Sequence, residues 1–227
     1  AMGQYQRDLV RWNQQINLVS RQDTGAQVAR LIGQCQDAWR ELDAAVLGKW
    51  GADAPVWYFD LGSGGGLPGF VWHQLSLARF SHLKTWLVEP REKRAWFLER
   101  LIHISPDYPA AVLRGRWGEV ACRETTAPEN VLISLKALQL TDPEVMAGLL
   151  HAVGDVVLPN GAQVVIARFY PPKQSWSRDL ADSLEVPTEP LVVDGCSFVP
   201  ARQWVLPPRA SQLYGASLVL STYSVLA

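Results

Sequence analysis

A glycine-rich segment directly after a short apolar stretch is the feature that most constrains this chain. Residues 56–59 are Val-Trp-Tyr-Phe, Asp60 follows them, and five glycines fall within residues 62–69. An apolar run of this length predicts a buried strand, and the pattern over residues 70–78 predicts a helix. Glycines between a strand and a helix allow a tight turn and bring the backbone close to a ligand at the helix N-terminus. The pattern therefore predicts a ligand-binding loop at the carboxyl end of a central strand.

The same alternation of strand and helix continues along the chain. Predicted strands cover residues 56–59, 85–88, 110–113, 131–134, 162–167, 191–193 and 217–222, and predicted helices lie within 4–47 and at 70–78, 93–104, 143–153 and 176–184. Strands separated by helices are typical of a mostly parallel sheet covered on both faces. We therefore expect a doubly wound α/β fold with a seven-stranded sheet. In this prediction residues 1–50 form an N-terminal helical cap and residues 51–227 form the ligand-binding domain.

Composition excludes several classes of protein. The chain has 227 residues, 48% of them apolar, and its 21 basic and 22 acidic side chains give a net charge of −1. These values fit one globular domain and exclude a disordered chain or one that holds nucleic acid by bulk positive charge. Three scattered cysteines predict free thiols in a reducing compartment, and no signal peptide or long apolar run is seen, which predicts a cytoplasmic protein without a membrane span. The histidines show no metal-ligand spacing, so no metal is expected.

Two acidic residues close successive predicted strands. Asp60 ends the first, and Glu89 ends the second, 27 residues after Gly62. Three of the loop glycines also match a dinucleotide-binding loop, but a carboxylate at the strand end would repel a pyrophosphate, so a nicotinamide-dependent dehydrogenase is disfavoured. Residues 60–66 instead resemble motif I of the class I S-adenosylmethionine (SAM) methyltransferases. The resemblance implies that Asp60, Gly62, Ser63 and Gly64 contact the methionine end of SAM, whereas Glu89 is placed to accept the ribose hydroxyls.

Longer segments resemble one family within this class, the bacterial 16S ribosomal RNA guanine-N7 methyltransferases called RsmG or GidB. The resemblance is carried by residues 11–20 (RWNQQINLVS), 60–69 (DLGSGGGLPG) and 89–98, with weaker matches at 116–119, 132–134 and 167–168. It implies SAM as cofactor, with contacts at Gly62, Leu67, Trp117 and Gly118 and the ribose on Glu89. For Trp117, stacking on adenine and packing beneath the loop are equally open.

The acceptor side departs from the family pattern. The family has an arginine just after the fourth strand, where this chain has Leu135 followed by Lys136, and the lysine expected after the fifth strand is Arg168. A His-x-x-Asp-Ser segment of the family has no counterpart around residues 31–35. Lys136, Arg168 and Asn17 are the substrate-side candidates. The resemblance implies methyl transfer to guanine N7, which carries a lone pair and no proton, so in-line positioning suffices and no general base is expected.

Two alternatives stay open beside ribosomal RNA or the small ribosomal subunit as partner: a small-molecule methyltransferase and a catalytically silent SAM-binding protein. Basic residues that could form a local RNA footprint are Arg91, Lys93, Arg94, Arg114, Arg116, Lys136, Arg168, Lys173 and Arg178. Among the ten tryptophans, periodicity predicts core positions for Trp12, Trp39, Trp57, Trp86 and Trp96. Trp72, Trp176 and Trp204 are left as candidates for stacking on RNA bases.

Overall fold

A computed structural model describes residues 2–19, 24–103, 109–136, 138–170, 188–206 and 217–226. Its helices are α1 (Met2–Ile16), α2 (Thr24–Ala45), α3 (Gly69–Leu77), α4 (Glu92–His103) and α5 (Asp142–Val153), with a 3-10 turn at Leu47–Lys49. Its strands are β1 (Val56–Leu61), β2 (Leu83–Val88), β3 (Ala110–Leu113), β4 (Asn130–Leu135), β5 (Gln163–Tyr170), β6 (Leu191–Val193), β7 (Cys196–Leu206) and β8 (Ser217–Leu226). The helix predicted at 176–184 lies outside the described residues.

The strands form one sheet in the order β3-β2-β1-β4-β5-β8-β7-β6. The first five are parallel, and β8, β7 and β6 add antiparallel pairs at one edge. This confirms the doubly wound, mostly parallel α/β fold. The strand order reverses between β1 and β4, so their carboxyl ends form the crevice where ligands bind in such sheets.

The described sheet has eight strands, not the predicted seven, because β7 was missed. Pro200 interrupts its sequence, and a proline lacks the N–H that a strand interior needs. The structure accommodates Pro200 with a register shift against β8 between Pro200 and Arg202. A bulge of this kind lets an 11-residue strand continue past a proline.

Alternate residues of the central strands enter two separate hydrophobic clusters. Val56 and Tyr58 of β1 join the cluster beneath α1, α2, α3 and α4. Trp57 and Phe59 point to the other face, which α5 covers. The N-terminal helices therefore pack directly on the sheet, and no described helix is long and apolar enough to cross a membrane.

Two tryptophans depart from their predicted environments. Trp72, a candidate for base stacking, is fully buried and donates its indole N–H to the Cys35 carbonyl at 2.8 Å. Trp96, predicted for the core, is 41% exposed. Helical periodicity alone did not show which of the two is buried. Helix α3 is apolar on nearly every side, whereas Trp96 lies beside the apolar face of α4. Trp176 and the side chain of Trp204 are outside the described part of the chain.

Candidate active site

The predicted glycine loop lies at the reversal point between β1 and β4. Asp60 of β1 stands in register with Leu87 of β2 and with Ser134 of β4. The loop then crosses the strand ends before α3 begins at Gly69. The sheet thus brings Asp60, the loop and the end of β2 into one crevice.

Asp60 is buried and holds the loop closed upon itself. Its carboxylate accepts hydrogen bonds from Ser63 Oγ and Ser134 Oγ, both at 2.5 Å, and from the Gly69 N–H at 3.1 Å. Burial raises the pKa of Asp60 to about 6, opposed by these hydrogen bonds and by the nearby charge of Lys136. A Cβ at Gly69 would lie 2.3 Å from Asp60 Oδ2, so this position requires glycine. Asp60 therefore stabilises the conformation of the glycine loop.

Glu89 joins the end of β2 to the same loop. Its Oε2 accepts the Gly64 N–H and its Oε1 accepts the Arg91 N–H, each at 2.9 Å. The side chain is only 3% exposed. The structure therefore brings Glu89 and the glycine loop together, as the strand-end pattern predicted.

The remaining loop residues are held from both sides. Gly62 and Gly64 have φ of +68° and +57°, a region that few side chains tolerate. Leu67 is buried in the cluster beneath α1. A Cβ at Gly62 would lie 2.6 Å from Leu138 Cδ1, so a partly exposed leucine after β4 covers the loop. Leu138 was not predicted, because an isolated leucine between two elements carries no signal.

Helix α1 packs on the loop from the other side, a contact that was also not predicted from the sequence. Tyr5 donates its hydroxyl to the Gly65 carbonyl at 2.8 Å. A Cβ at Gly65 would lie 2.9 Å from Leu9 Cδ1. Asn17, which has a φ of +46°, follows α1 and accepts a hydrogen bond on its carbonyl from Arg94 Nη2 at 2.8 Å. This places Asn17 at the edge of the loop.

Trp117 anchors the segment after β3 to helix α5. Its indole N–H donates to the Val145 carbonyl at 3.0 Å, and its ring lies 5.3 Å from that of Phe59. A Cβ at Gly148 would lie 2.0 Å from the Trp117 Nε1. These contacts favour the packing role for Trp117. The next residue, Gly118, is exposed and has a φ of +89°.

Lys136 and Arg168 occupy different environments. Lys136 Nζ lies 3.7 Å from Cys35 Sγ and 5.3 Å from the centre of the Phe169 ring, on the Asp60 side of the sheet. Arg168 is buried and pairs with Asp142 at 2.6 Å. Its Nη2 also donates to the Leu140 carbonyl at 3.0 Å, so its cation supports the segment between β4 and α5. Lys173 and Arg178 lie outside the described residues.

Comparison with known proteins identifies a matching family. A family described as rRNA small subunit methyltransferase G (GidB) matches residues 1–154. The Ribosomal RNA small subunit methyltransferase G of Cereibacter sphaeroides is 39% identical over 92 residues, 40% of this chain. The match spans 40% of that relative's length.

Two solved structures share the fold at low sequence identity. MtNAS in complex with MTA and tNA has a TM-score of 0.53 and 13% identity, covering 97% of this chain and 69% of that one. A mutant of MtNAS in complex with S-adenosylmethionine has a TM-score of 0.50 and 14% identity, with coverage of 98% and 71%. Among the described residues, no group of three or more His, Cys, Asp or Glu side chains could hold a metal ion.

Proposed function

The chain belongs to the GidB family of small-subunit rRNA methyltransferases, and we propose that it transfers a methyl group from SAM to N7 of a guanine in 16S ribosomal RNA. The observation that carries the proposal is the hydrogen bond between Glu89 and the Gly64 N–H, which holds the glycine loop beside the end of β2. It is found in a chain whose residues 1–154 match the family. An enzyme of this kind works where ribosomes are assembled, in the cytoplasm. The division into a helical cap (1–50) and a methyltransferase domain (51–227) remains part of the proposal.

The residues at the loop fit SAM chemically. Glu89 is a carboxylate at the end of β2, suited to accept two ribose hydroxyls, and its distance to the Gly64 N–H shows that the loop backbone lies beside it. Gly62, Ser63 and Gly64 are proposed to contact the methionine end. Leu67, Trp117 and Gly118 complete the cofactor set that the family resemblance implies. When bound, SAM supplies the electrophilic methyl group.

The hydrogen bonds that Asp60 and Glu89 accept support a methyl acceptor that needs no general base. Asp60 accepts three hydrogen bonds and Glu89 accepts two, all from protein groups. A general base must instead reach the proton that it removes. Guanine N7 has no proton to remove, so the work of the chain is to hold donor carbon and acceptor nitrogen in line. Lys136, on the Asp60 side, is the proposed substrate-side cation, and Asn17 borders the same crevice. Arg168 acts through the segment that it supports.

Transfer of labelled methyl from SAM into a cell extract, separated into RNA, protein and small molecules, tests the proposal. We expect label in small-subunit RNA and its loss with Gly62→Arg, since that side chain would collide with Leu138 and fill the loop. Gly195→Arg is the matched control, because Gly195 also has a positive φ, +81°, but nothing lies within 4 Å of its Cβ position.

The partition of the label decides between the proposal and its alternatives. Label at N7 of guanine in 16S RNA, found after nuclease digestion, confirms the full proposal. Label among small molecules alone would overturn the RNA acceptor and retain the cofactor. No transfer, with SAM still bound in calorimetry, would favour the catalytically silent SAM-binding protein, and no binding of SAM would overturn the cofactor as well.

A further inference from the structure

A strip of aromatic and basic side chains, exposed except for the half-buried Trp12, runs along helices α1 and α4. We call it the α1–α4 strip and define it by Arg11, Trp12, Lys93, Trp96 and Arg100. Lys93, Trp96 and Arg100 follow one another at helical spacing, so they share one face of α4. Trp96 is 41% exposed, an unusual state for so large an apolar side chain.

The strip is an organised cluster of rings and cations. The rings of Trp12 and Trp96 meet edge to face with centroids 5.0 Å apart. The guanidinium groups of Arg11 and Arg100 lie 5.8 and 5.6 Å from the Trp12 ring centroid. Cation–π contact holds both cations against the Trp12 ring, and Trp12 in turn contacts the exposed Trp96 ring. The exposed Trp96 indole can stack on a nucleobase while the neighbouring guanidinium groups pair with phosphates.

The charge around the strip is positive although the whole chain has a net charge of −1. Arg7 on α1 and Lys93 on α4 are also exposed. Of the neighbouring carboxylates on α4, Glu99 is neutralised by Arg114, which donates two hydrogen bonds at 2.7 and 2.6 Å. Glu92 is an exposed carboxylate at the start of the same helix. The strip therefore complements a polyanion better than an apolar protein surface.

The strip begins at the edge of the candidate active site. Arg94, on the same helix, bonds to the Asn17 carbonyl, and its Nη1 lies 3.7 Å from the Cβ position of Gly64. Arg100 is six residues further on, a rise of about 9 Å along the helix axis. An RNA strand whose reacting base enters the crevice can thus continue along α4 and stay in contact with the protein.

We propose that the α1–α4 strip is a docking surface for the RNA substrate, on which Trp96 stacks against an unpaired base while Arg11 and Arg100 bind phosphates. The identity of the reacting RNA rests on the proposed function, whereas the docking itself does not. Single-stranded segments are the expected target, because only unpaired bases offer a free face to an indole.

Binding of a fluorescent single-stranded RNA and of a protein-free 16S rRNA transcript to the full chain tests this surface. We expect Trp96→Ala to weaken binding roughly five- to hundredfold and Trp96→Phe to retain most of it, because phenylalanine still stacks. Arg11→Ala and Arg100→Ala should each lower the slope of log K against log salt by about 0.7. The controls are Leu77→Ala, a leucine 38% exposed on α3, and Lys49→Ala, an exposed lysine near the amino ends of β4 and β5.

The outcomes separate this inference from the proposed function. If the parent chain methylates 16S rRNA and Trp96→Ala binds and methylates it equally well, the docking surface is wrong and the function stands. If the parent chain transfers no methyl group to RNA yet loses RNA binding with Trp96→Ala, the docking surface stands and the function fails. A chain that binds neither RNA, or a Trp96→Ala variant that loses SAM affinity in parallel, would overturn the inference.

Discussion

At the scale of single residues, Asp60 and Glu89 differ in what their charges contribute. Asp60 turns inward, and its three hydrogen bonds come from Ser63, Ser134 and the start of α3. Glu89 takes only backbone N–H donors, one of them from the loop itself. Asp60 therefore fixes the loop, whereas Glu89, two residues beyond the register position of Asp60, places a carboxylate beside the loop.

Ionisation of Asp60 should make the protein less stable as the pH rises from about 4 to about 6. The folded pKa is about 6 against an ordinary value of 3.8, so the folded state holds its proton more tightly than the unfolded state. Stability from this group is present in full below the ordinary pKa and is lost as pH rises through the folded one, by up to about 3 kcal/mol. Urea unfolding of the parent chain and Asp60→Asn at several pH values measures it: the difference between the two should change across this window. Asp155→Asn removes an exposed carboxylate as a control, and a constant difference for Asp60→Asn would contradict the expectation.

Replacement of Glu89 by glutamine should weaken SAM binding at least tenfold. The amide keeps one oxygen for a backbone N–H but turns an NH₂ group toward the other, and it removes the charge that strengthens bonds to ribose hydroxyls. Calorimetric titration of SAM measures the loss, which corresponds to about 1.4 kcal/mol or more. Glu129→Gln, at an exposed position before β4, is the control. Equal affinities in both variants would remove Glu89 from the cofactor site.

At the scale of elements, periodicity and turn residues predicted most helices and strands, but not which side of an element meets solvent. Seven of the eight described strands were predicted from short apolar or alternating runs, whereas β7 is interrupted by Pro200 and was missed. The contact between α1 and the glycine loop was not predicted from the sequence either, because Tyr5 lies 60 residues from Gly65 along the chain. Local pattern carries no information on such distant pairs.

The packing of Trp117 on α5 can be tested with a double-mutant cycle. Trp117→Ala removes a half-buried ring, and Gly148→Ala places a Cβ 2.0 Å from the Trp117 Nε1. Each single change should lower the free energy of unfolding by about 1–3 kcal/mol. The double variant should lose less than the sum, since alanine fits at position 148 once the indole is gone.

Urea unfolding of the four proteins in that cycle gives the coupling. Strict additivity would show that Trp117 does not rest on Gly148. A large loss of SAM affinity in Trp117→Ala, with the fold intact, would favour the stacking role instead.

At the scale of the whole molecule, the sequence predicted the fold class and the crevice because both follow from strand order. Parallel strands bring their carboxyl ends to one edge, so Asp60, Glu89 and the loop had to meet. The environment of Arg168 could not be predicted in the same way. Its partner Asp142 begins α5, and Asp142 also accepts the hydroxyl of Tyr223 from β8, so this cluster depends on how the antiparallel edge closes on the parallel core.

The Arg168–Asp142 ion pair should therefore contribute strongly to the stability of the folded sheet. Asp142→Asn leaves a buried guanidinium without its counter-charge, and we expect a loss of about 3–5 kcal/mol in the free energy of unfolding. Tyr223→Phe removes one neutral donor to the Asp142 carboxylate and should cost about 1.5–3 kcal/mol. The double variant Asp142→Asn with Arg168→Met removes both charges, so it should recover much of the stability that the single change loses. Urea denaturation of the three variants measures these differences. If Asp142→Asn were no more destabilising than Tyr223→Phe, the arginine would have another way to satisfy its charge, and its release toward the crevice would return it to the substrate-side candidates.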